Sequence, residues 1–331
     1  MKKLFPDLKT GVIGVGSMGQ NHARIYNEIS ELVAVSDINE EQGRRVAERF
    51  GIAWYSDYRE MLDLVDAVTI AVPTFLHYEV AKLVTEAGVH ILVEKPLAIN
   101  ILESEAIINL ADKHNVTLAV GHVERYNPVI DCARKSLARN EWGELLTLTA
   151  KRFSNFPTRI HDVGVLFDLT IHDVDVICSL INSKVKSVFA VGGKSKNEKY
   201  EDHVCLIIEF EGGQKGICET NWLTPMKVRE LNITTTTCYI SINYLKQEID
   251  IMNSSFGEVD ESNLYRTPLE INKEKLKVKG KEPLENELVD FLDSITNKRK
   301  PLVCGVDGLH AVKIVQMGLS SLQNGKLVKY D

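Results

Sequence analysis

The chain has 331 residues, a net charge of −7 and 44% hydrophobic residues, enough to build a core in each of two domains. The acidic balance argues against nucleic acid or an anionic membrane as the main partner. No apolar run reaches the ~20 residues of a membrane span, and Pro6 and Asp7 interrupt any signal-peptide core. Six cysteines without a Cys-x-x-Cys pair indicate reduced thiols. We therefore expect a cytoplasmic protein.

Residues 1–122 alternate short apolar runs with charged, helical segments. Strands are predicted in "TGVIGVG", "ELVAVSD", "DAVTIAVP", "HILVEKP" and "VTLAVGH". Such runs are typical of parallel strands that are buried on both faces, and the segments between them act as helical crossovers. The pattern predicts an α/β domain built from βαβ units.

The pattern changes over residues 123–331. After the helical segment "NPVIDCARKSLARN", the runs "LLTLTAKRF", "VKSVFAVGG" and "VRELNITTTTCYISINY" have the alternation of a largely antiparallel, open sheet with one face on helices. Two C-terminal helices follow, and the lysine-rich "INKEKLKVKGKEP" is predicted to be a solvated surface segment. This half is expected to form an α+β domain for substrate binding and oligomerisation.

The segment "DVGVLFDLTIHDVDVICSL", residues 162–180, is apolar but carries several polar side chains. On a helix at about 100° per residue, Asp168, His172, Asp175 and Ser179 fall on one narrow stripe. Such a stripe on a helix that is otherwise apolar is either a buried site or a solvated edge.

"GVIGVGSMGQNH" places Gly14, Gly16 and Gly19 in a G-x-G-x-x-G pattern between a predicted strand and a helix. The first glycine permits a tight turn, the second lets the backbone approach a pyrophosphate, and the third lets the helix pack closely. Asp37 ends the next strand, where a carboxylate accepts ribose hydroxyls and repels a 2′-phosphate. The sequence therefore predicts NAD rather than NADP, with the loop residues Ser17 and Met18 among the contacts; a tight turn without a ligand is the alternative.

"AVPTFLH" follows another strand, and the carboxyl edge of a parallel sheet is where ligands bind in open α/β folds. Pro73, Thr74 and His77 are therefore expected to line the cofactor. The alternative is that Pro73 only ends the strand.

In "ILVEKPLA", Glu94 and Lys95 directly follow an apolar strand and precede Pro96. They are expected at the same edge as the glycine loop, and a cis bond before Pro96 would fix the direction of the lysine. A charged pair at a surface strand end is the alternative.

The glycine loop, the EKP segment and Asp168-x-x-x-His172 together resemble the glucose–fructose oxidoreductase and inositol dehydrogenase family (Gfo/Idh/MocA) over essentially the whole chain. The resemblance implies a Rossmann domain over 1–122 and an α+β domain with a large, open, mainly antiparallel sheet over 123–331. It assigns Lys95, Asp168 and His172 as catalytic residues and Glu94 and Lys95 as cofactor contacts. Only Gly164 precedes Asp168, where the family often has a glycine-rich run.

The resemblance implies oxidation of a secondary alcohol by NAD, with a proton passing to a base. We expect His172 to be the base because it titrates near neutrality, Asp168 to orient it, and Lys95 to stabilise the developing alkoxide. A desolvated Lys95 as the base, with His172 positioning the substrate, is the alternative. Asp175 is expected to be a supporting hydrogen-bond partner.

The segments "ERYNP" and "KRFSNFPTRIHD" resemble the branch of the family that oxidises the 3-hydroxyl of UDP-N-acetylglucosamine-type sugars and supplies a 3-keto sugar for amino-sugar and surface-glycan synthesis. Arginine forks suit phosphate oxygens, and Tyr and Asn suit sugar hydroxyls or a base. The expected substrate contacts are Arg125, Tyr126, Asn127, Arg152, Arg159 and His172. The alternative is that Arg125 and Arg152 each pair with a local acid.

Other functions stay open. An inositol, polyol or free-sugar dehydrogenase would use the same three catalytic residues, and a non-catalytic NAD-binding sensor would not need them. A metal-dependent alcohol dehydrogenase is disfavoured because a Rossmann site with an EKP lysine needs no Lewis acid, so no metal is expected. The apolar, threonine-rich far face of the second sheet predicts a homodimer or homotetramer.

Overall fold

A computed structural model describes residues 3–156, 163–256 and 269–330. The chain divides into two compact units, which we describe separately. No helix among the described residues is long and apolar enough to cross a membrane.

The first unit begins with alternating strands and helices, as the apolar runs predict. Its elements up to Tyr126 are β1 (Phe5–Ile13), α1 (Ser17–Ile29), β2 (Ser30–Ser36), α2 (Glu40–Phe50), β3 (Ala53–Tyr55), β4 (Ala67–Ile70), α3 (His77–Glu86), β5 (His90–Glu94), α4 (Ile101–His114) and β6 (Leu118–Gly121). Short 3₁₀ turns cover Tyr58–Leu64, Thr74–Leu76 and Val123–Tyr126.

All strand pairs of this described sheet are parallel, in the order β3-β2-β1-β4-β5-β6. The chain order reverses between β1 and β4, which is where ligands bind in doubly wound sheets. Alternate residues of the strands pack into two separate hydrophobic clusters, for example Val12 and Leu92 into one and Ile13 and Val93 into the other. The sheet is thus covered on both faces, which explains its near-continuous apolar strands.

Helix ends follow local sequence signals. The Asn39 side chain accepts a hydrogen bond from the Gln42 N–H at 3.1 Å, and Gly51 ends α2 at a φ of 68°. Asparagine as N-cap and glycine in the left-handed region after the last turn are strongly preferred at these positions.

A C-terminal segment also belongs to the first unit. Residues Lys281–Lys313 group with it, including α7 (Pro283–Thr296), whose Leu288 and Phe291 lie in the same cluster as Val12. The sequence pattern predicts a domain boundary at 122, with all later residues in the second domain. The apolar stripe of α7 is compatible with either core, so its periodicity does not specify which one it covers.

The second unit comprises the described residues of Asn127–Gly280 and Ile314–Asp331. Its elements are α5 (Pro128–Ala138), β7 (Leu145–Phe153), α6 (Ile171–Leu180), β8 (Val185–Gly193), β9 (His203–Phe210), β10 (Lys215–Asn221), β11 (Val228–Thr235), β12 (Tyr239–Asn243), β13 (Glu248–Phe256), β14 (Leu269–Lys277), the later part of α8 (Gly305–Asn324) and β15 (Val328–Lys329).

The described strands form a mixed sheet in the order β14-β13-β12-β11-β7-β10-β9-β8-β15. The β7–β10 pair is parallel and the other pairs are antiparallel, which agrees with the predicted open, mainly antiparallel sheet. Side chains alternate as expected: Leu206 and Ile208 are fully buried, whereas Ile207 between them is 38% exposed.

The lysine-rich segment is exposed over most of its length, as its composition predicts, and it is also regular in structure. Most of it forms β14, the edge strand beside β13. Lys273 and Lys275 pair across the strands with Asp250 and Glu248 at 2.9 Å each. Charged side chains on an edge strand discourage pairing with another chain, so a lysine-rich composition and strand structure are compatible here.

The segment predicted as one regular helix starts irregularly. A π-helical turn covers Leu166–Thr170 and runs directly into α6, and the Ile171 N–H bonds to the Leu166 carbonyl five residues earlier. Single π turns inside helices are frequent at functional sites. This one contains Asp168, which departs from the regular 100° spacing used to predict the polar stripe.

Candidate active site

The glycine loop after β1 has the geometry that its spacing predicts. Gly14 has a φ of 85°, and a Cβ there would lie 2.7 Å from the Ala71 carbonyl oxygen beyond β4. A Cβ on Gly19 would lie 1.9 Å from the Gly14 carbonyl oxygen, so no side chain fits between loop and helix. A Cβ on Gly16 would meet open space. The outer side of the loop is therefore accessible to a ligand.

Helix α1 begins at Ser17 with no acidic residue in its first turn. Ser17 is exposed, and Met18 is half-buried against the adjoining hydrophobic cluster. An uncovered helix N-terminus with free space at Gly16 suits an anionic group. The loop thus fits the pyrophosphate of a dinucleotide.

Asp37 follows β2 and ties the glycine loop to it. Its Oδ2 accepts the Val15 N–H and its Oδ1 accepts the Asn39 N–H, each at 2.8 Å. Each carboxylate oxygen has a further lone pair. Half-buried at the carboxyl end of its strand, Asp37 can still accept a hydroxyl there.

The segment after β4 contacts the backbone of the EKP segment. Pro73 is exposed and Thr74 is half-buried in a short 3₁₀ turn, but the His77 ring is buried. Its Nδ1 lies 2.8 Å from the Pro96 carbonyl oxygen and its Nε2 lies 3.0 Å from that of Val72. Burial lowers the pKa of His77 despite these contacts, so the ring donates to one carbonyl at a time. The side chain thus contacts protein backbone.

Lys95 is half-buried at the end of β5, and the Lys95–Pro96 bond is cis, as considered from the sequence. The carboxylate of Glu94 beside it turns inward. Its Oε1 lies 2.9 Å from His22 Nε2, and its Oε2 accepts the Lys95 N–H at 3.1 Å. Glu94 therefore fixes the backbone of Lys95.

His22 extends this contact into a buried chain of polar groups. Its Nδ1 lies 3.1 Å from the Thr69 hydroxyl, which lies 2.9 Å from the Tyr26 hydroxyl. Burial by itself raises the pKa of the Glu94 carboxyl, but the hydrogen bond and charge of His22, with the charge of Lys95, hold it below its usual value. The glycine-loop helix and the Lys95 loop are thus joined through a buried pair.

Sequence reasoning missed His22. A signal was present, because His22 occupies the stripe of α1 that Gly19, Ala23 and Tyr26 share and that is buried. A histidine on such a stripe needs a partner, but no local pattern indicates that the partner is Glu94.

In the second unit, Asp168 and His172 are half-buried, whereas Asp175 is buried with 2% of its surface exposed. A buried carboxylate at this position is compatible with the expected role of Asp175 as a supporting hydrogen-bond partner. Ser179 bonds to the Val176 carbonyl at 2.7 Å. Asp168 and His172 are thus the more accessible acid and base of this helix.

The ERYNP residues have protein partners. Arg125 pairs with Asp307 at 3.1 Å, and the Tyr126 hydroxyl donates to Asp290 at 2.8 Å. Burial and the charge of Asp290 raise the pKa of Tyr126 well above 10. The Asn127 side chain accepts the Val129 N–H and caps α5, besides accepting from Gln247 at 2.9 Å. These contacts include the local salt bridge weighed as the alternative for Arg125.

Arg152 on β7 forms a buried ion pair with Asp173 on α6. Its Nε and a terminal nitrogen both bond to the carboxylate, at distances of 2.8 to 3.0 Å, and its guanidinium lies 5.6 Å from the centre of the Tyr244 ring. Here too the structure contains the local pair considered as the alternative. Arg159 lies outside the described residues.

Among the described residues, no cluster of three or more His, Cys, Asp or Glu side chains could hold a metal ion.

Two family models match the chain. The model of the GFO/IDH/MocA oxidoreductase family, with its NAD-binding Rossmann fold, matches residues 8–122, and the model of the GFO/IDH/MocA C-terminal domain matches residues 130–241. Together they cover more than half of the chain.

Individual proteins are also similar along their full length. UDP-N-acetylglucosamine 3-dehydrogenase from Acidithiobacillus ferrooxidans is 31% identical, over 91% of this chain and 93% of that protein. A structure of that enzyme covers 96% of this chain and 98% of its own, with a TM-score of 0.86 and 29% identity. The NAD(+)-dependent scyllo-inositol 2-dehydrogenase from Bacillus subtilis is 26% identical, over 98% of this chain and 96% of that protein.

Proposed function

The chain belongs to the GFO/IDH/MocA oxidoreductase family, and from this premise we propose that it uses NAD to oxidise the 3-hydroxyl of a UDP-sugar, UDP-N-acetylglucosamine or a close relative. The observation that carries the proposal is the full-length similarity to the Acidithiobacillus ferrooxidans UDP-N-acetylglucosamine 3-dehydrogenase, at 31% identity against 26% for the scyllo-inositol enzyme. The product, a 3-keto sugar, suits an aminotransferase in amino-sugar and surface-glycan synthesis.

The first unit supplies the cofactor site in this proposal. The loop of Gly14, Gly16 and Gly19 and the start of α1 hold the pyrophosphate, and Asp37 accepts a ribose hydroxyl. Bound NAD accepts the hydride from the alcohol carbon. His77 and Glu94 act by holding the backbone of the EKP loop, because their side chains contact Pro96, His22 and Lys95 in the protein.

The proton of the hydroxyl passes to His172, because imidazole is the side chain whose ordinary pKa lies nearest to neutrality. Asp168 orients the ring and favours its protonated form. Lys95 donates a hydrogen bond to the substrate oxygen and stabilises its developing negative charge. The alternative has Lys95 as the base and His172 as the positioning group.

Arg125 is the described cation best suited to a diphosphate. The Arg125 side chain is 12% exposed, and the side chain of its partner Asp307 is 29% exposed. An incoming phosphate would therefore compete for Arg125 with a carboxylate that is partly solvated. Arg152 is proposed to act indirectly, by holding Asp173, the residue that follows His172 on α6. Substrate contact by Tyr126, Asn127 and Arg159 stays a prediction.

The test is mass spectrometry of the protein incubated with NAD and a panel of UDP-N-acetylglucosamine, its uronic acid, UDP-glucose, glucose and inositol. We expect a loss of two mass units from a UDP-sugar alone, and none with His172→Ala or Lys95→Met. Turnover of an unmodified polyol alone would overturn the nucleotide-sugar proposal. NAD binding without turnover of the panel would favour a non-catalytic sensor.

An inositol, polyol or free-sugar dehydrogenase is the second candidate, and one observation favours it. Arg125 and Arg152 both have carboxylate partners within the protein, and a polyol needs no diphosphate contact. Arg125→Ala separates the two candidates, because we expect it to raise KM for a UDP-sugar and to leave KM for a polyol unchanged.

We also propose that a second copy of the chain covers the open face of β8–β10. Phe189, Ile207 and Ile217 lie in register across these strands, and Val191 on the same face is 50% exposed. Contiguous apolar surface of this kind is typical of interfaces. Light scattering after size exclusion should give a dimer or tetramer, and Ile207→Asp should shift it towards monomer; a wild-type monomer would contradict the proposal.

A further inference from the structure

The helical segment that carries Asp168 and His172 begins against a carboxylate from another part of the chain. The Val165 N–H donates to the Glu201 carbonyl oxygen at 3.0 Å, and the Leu166 N–H donates to Glu201 Oε1 at 3.1 Å. Glu201 thus satisfies two of the backbone donors that a helix start leaves without intrahelical partners. A carboxylate is also favoured there by the helix dipole.

Gly164 makes this approach possible. A Cβ at Gly164 would lie between 2.1 and 2.3 Å from the carboxylate atoms of Glu201, so any side chain there displaces the carboxylate. The Gly164 carbonyl accepts the Asp168 N–H at 3.1 Å. The single glycine before Asp168 is therefore explained by the room that Glu201 needs, and the same residue is bonded to Asp168.

The backbone around Glu201 is itself fixed. The neighbouring Asp202 accepts the Trp222 N–H at its carbonyl, and its Oδ2 accepts N–H groups of the preceding loop at Ser195, Lys196 and Asn197. The far end of the π turn is held by the Thr170 hydroxyl, 2.7 Å from that of Thr220 on β10. The helix start is thus fixed at both ends by residues that do not belong to it.

We propose that Glu201 is a positioning residue for the catalytic helix: its carboxylate, seated against Gly164 and the Leu166 N–H, holds the π turn that sets Asp168 relative to His172. The inference rests on the proposed function, in which these two residues perform the proton transfer. A π turn holds one residue more than an α turn, so relaxation to α-helix would rotate Asp168 by about 100° around the helix axis relative to His172.

The experiment compares Glu201→Ala, Glu201→Gln and Gly164→Ala with Glu198→Ala, which removes an exposed carboxylate from the same loop. Three quantities are measured: kcat and KM for the oxidised sugar, the Kd of NAD, and the ¹³Cε1 resonance of His172 in histidine-labelled protein, assigned by its loss in His172→Gln. We expect Glu201→Ala and Gly164→Ala to lower kcat by about 10²-fold and to shift the His172 resonance, with the Kd of NAD unchanged.

Glu201→Gln should restore most of kcat, because its amide oxygen still accepts the Leu166 N–H, and Glu198→Ala should behave as wild type. An unmoved His172 resonance in both Glu201→Ala and Gly164→Ala would overturn the inference, as would a glutamine variant as impaired as the alanine variant. If Glu201→Ala does not fold, the same measurements on Gly164→Ala and Glu201→Gln test the inference.

The resonance separates this inference from the proposed function. If wild type oxidises no sugar of the panel but Gly164→Ala and Glu201→Ala still move the His172 signal, the substrate proposal fails and the positioning role stands. If the signal does not move, the positioning role fails whatever the substrate.

Discussion

The two units hold their candidate catalytic residues by different means. In the first, Glu94 fixes the Lys95 backbone and is itself matched by His22, and the pKa of Glu94 lies below its usual value because His22 and Lys95 outweigh its burial. In the second, Glu201 contacts the backbone at the helix start, and burial raises its pKa against the smaller effects of backbone hydrogen bonds and Lys194. Both carboxylates are shielded from solvent, but their pKa values are shifted in opposite directions because only Glu94 has an ionisable hydrogen-bond partner.

The largest effect on stability is expected from the second unit, where Arg152 and Asp173 form an ion pair with side chains 4% and 2% exposed. Asp173→Ala leaves the guanidinium buried without its carboxylate and should lower the free energy of unfolding by about 3–5 kcal/mol. Urea titration followed by tryptophan fluorescence, to which the buried Trp222 contributes, measures it.

The double variant Arg152→Met/Asp173→Leu is the control, because replacing both charges by apolar groups is often neutral. A double variant as unstable as Asp173→Ala would mean that packing rather than charge explains the loss.

In the first unit, His22→Ala should cost about 1–3 kcal/mol, because it leaves the Glu94 carboxylate and the Thr69 hydroxyl buried without the imidazole. Urea titration followed by tryptophan fluorescence, to which Trp54 of this unit contributes, measures the loss. His114→Ala, on α4 and outside this chain of polar groups, is the matched control; equal losses in both variants would remove the special role of His22.

The pH dependence of stability should differ in sign between the two carboxylates. The pKa of Glu94 is lowered from 4.5 in the folded protein. Its contribution to the free energy of unfolding is therefore complete when the pH is above its pKa in the unfolded chain, and is lost as the pH falls through its pKa in the folded protein. The pKa of Glu201 is raised from 4.5. Its contribution is therefore complete when the pH is below its pKa in the unfolded chain, and is lost as the pH rises through its pKa in the folded protein.

Glu94→Gln should therefore flatten the loss of unfolding free energy on acidification below about pH 4.5, whereas Glu201→Gln should flatten a decline above it. Urea titrations from pH 3.5 to 7.5 give both slopes. Slopes that change in the same direction in the two variants would contradict the comparison.

The smallest effect is expected at an exposed contact of the first unit. Arg24 bonds to both oxygens of Glu282 at 2.8 and 2.9 Å, but both side chains are solvated. Glu282→Gln should cost about 0.2–1 kcal/mol and less at high salt. A loss as large as that of His22→Ala would show that surface pairs matter here as much as buried ones.

Local patterns were sufficient for most elements and for the cofactor loop. The helix predicted after the glycine loop corresponds to α1, and the predicted strands "LLTLTAKRF" and "VKSVFAVGG" coincide with β7 and β8. These features depend on periodicity and on residue types at adjacent positions, which the sequence contains directly. The short β3 was missed because three residues give too little periodicity, and the lysine content of β14 obscured its strand pattern.

The α/β and α+β classes, the glycine loop with Asp37, and the location of Lys95 at a strand end could therefore be predicted from local sequence. Which side chains meet could not: His22 contacts Glu94 across 72 positions, Leu166 contacts Glu201 across 35, and Arg152 contacts Asp173 across 21. The packing of α7 on the first unit likewise depends on the assembled fold. Such contacts depend on how packed elements bring distant positions together, so the free energy of a buried polar pair is specified by the assembled core rather than by either residue's neighbours along the chain.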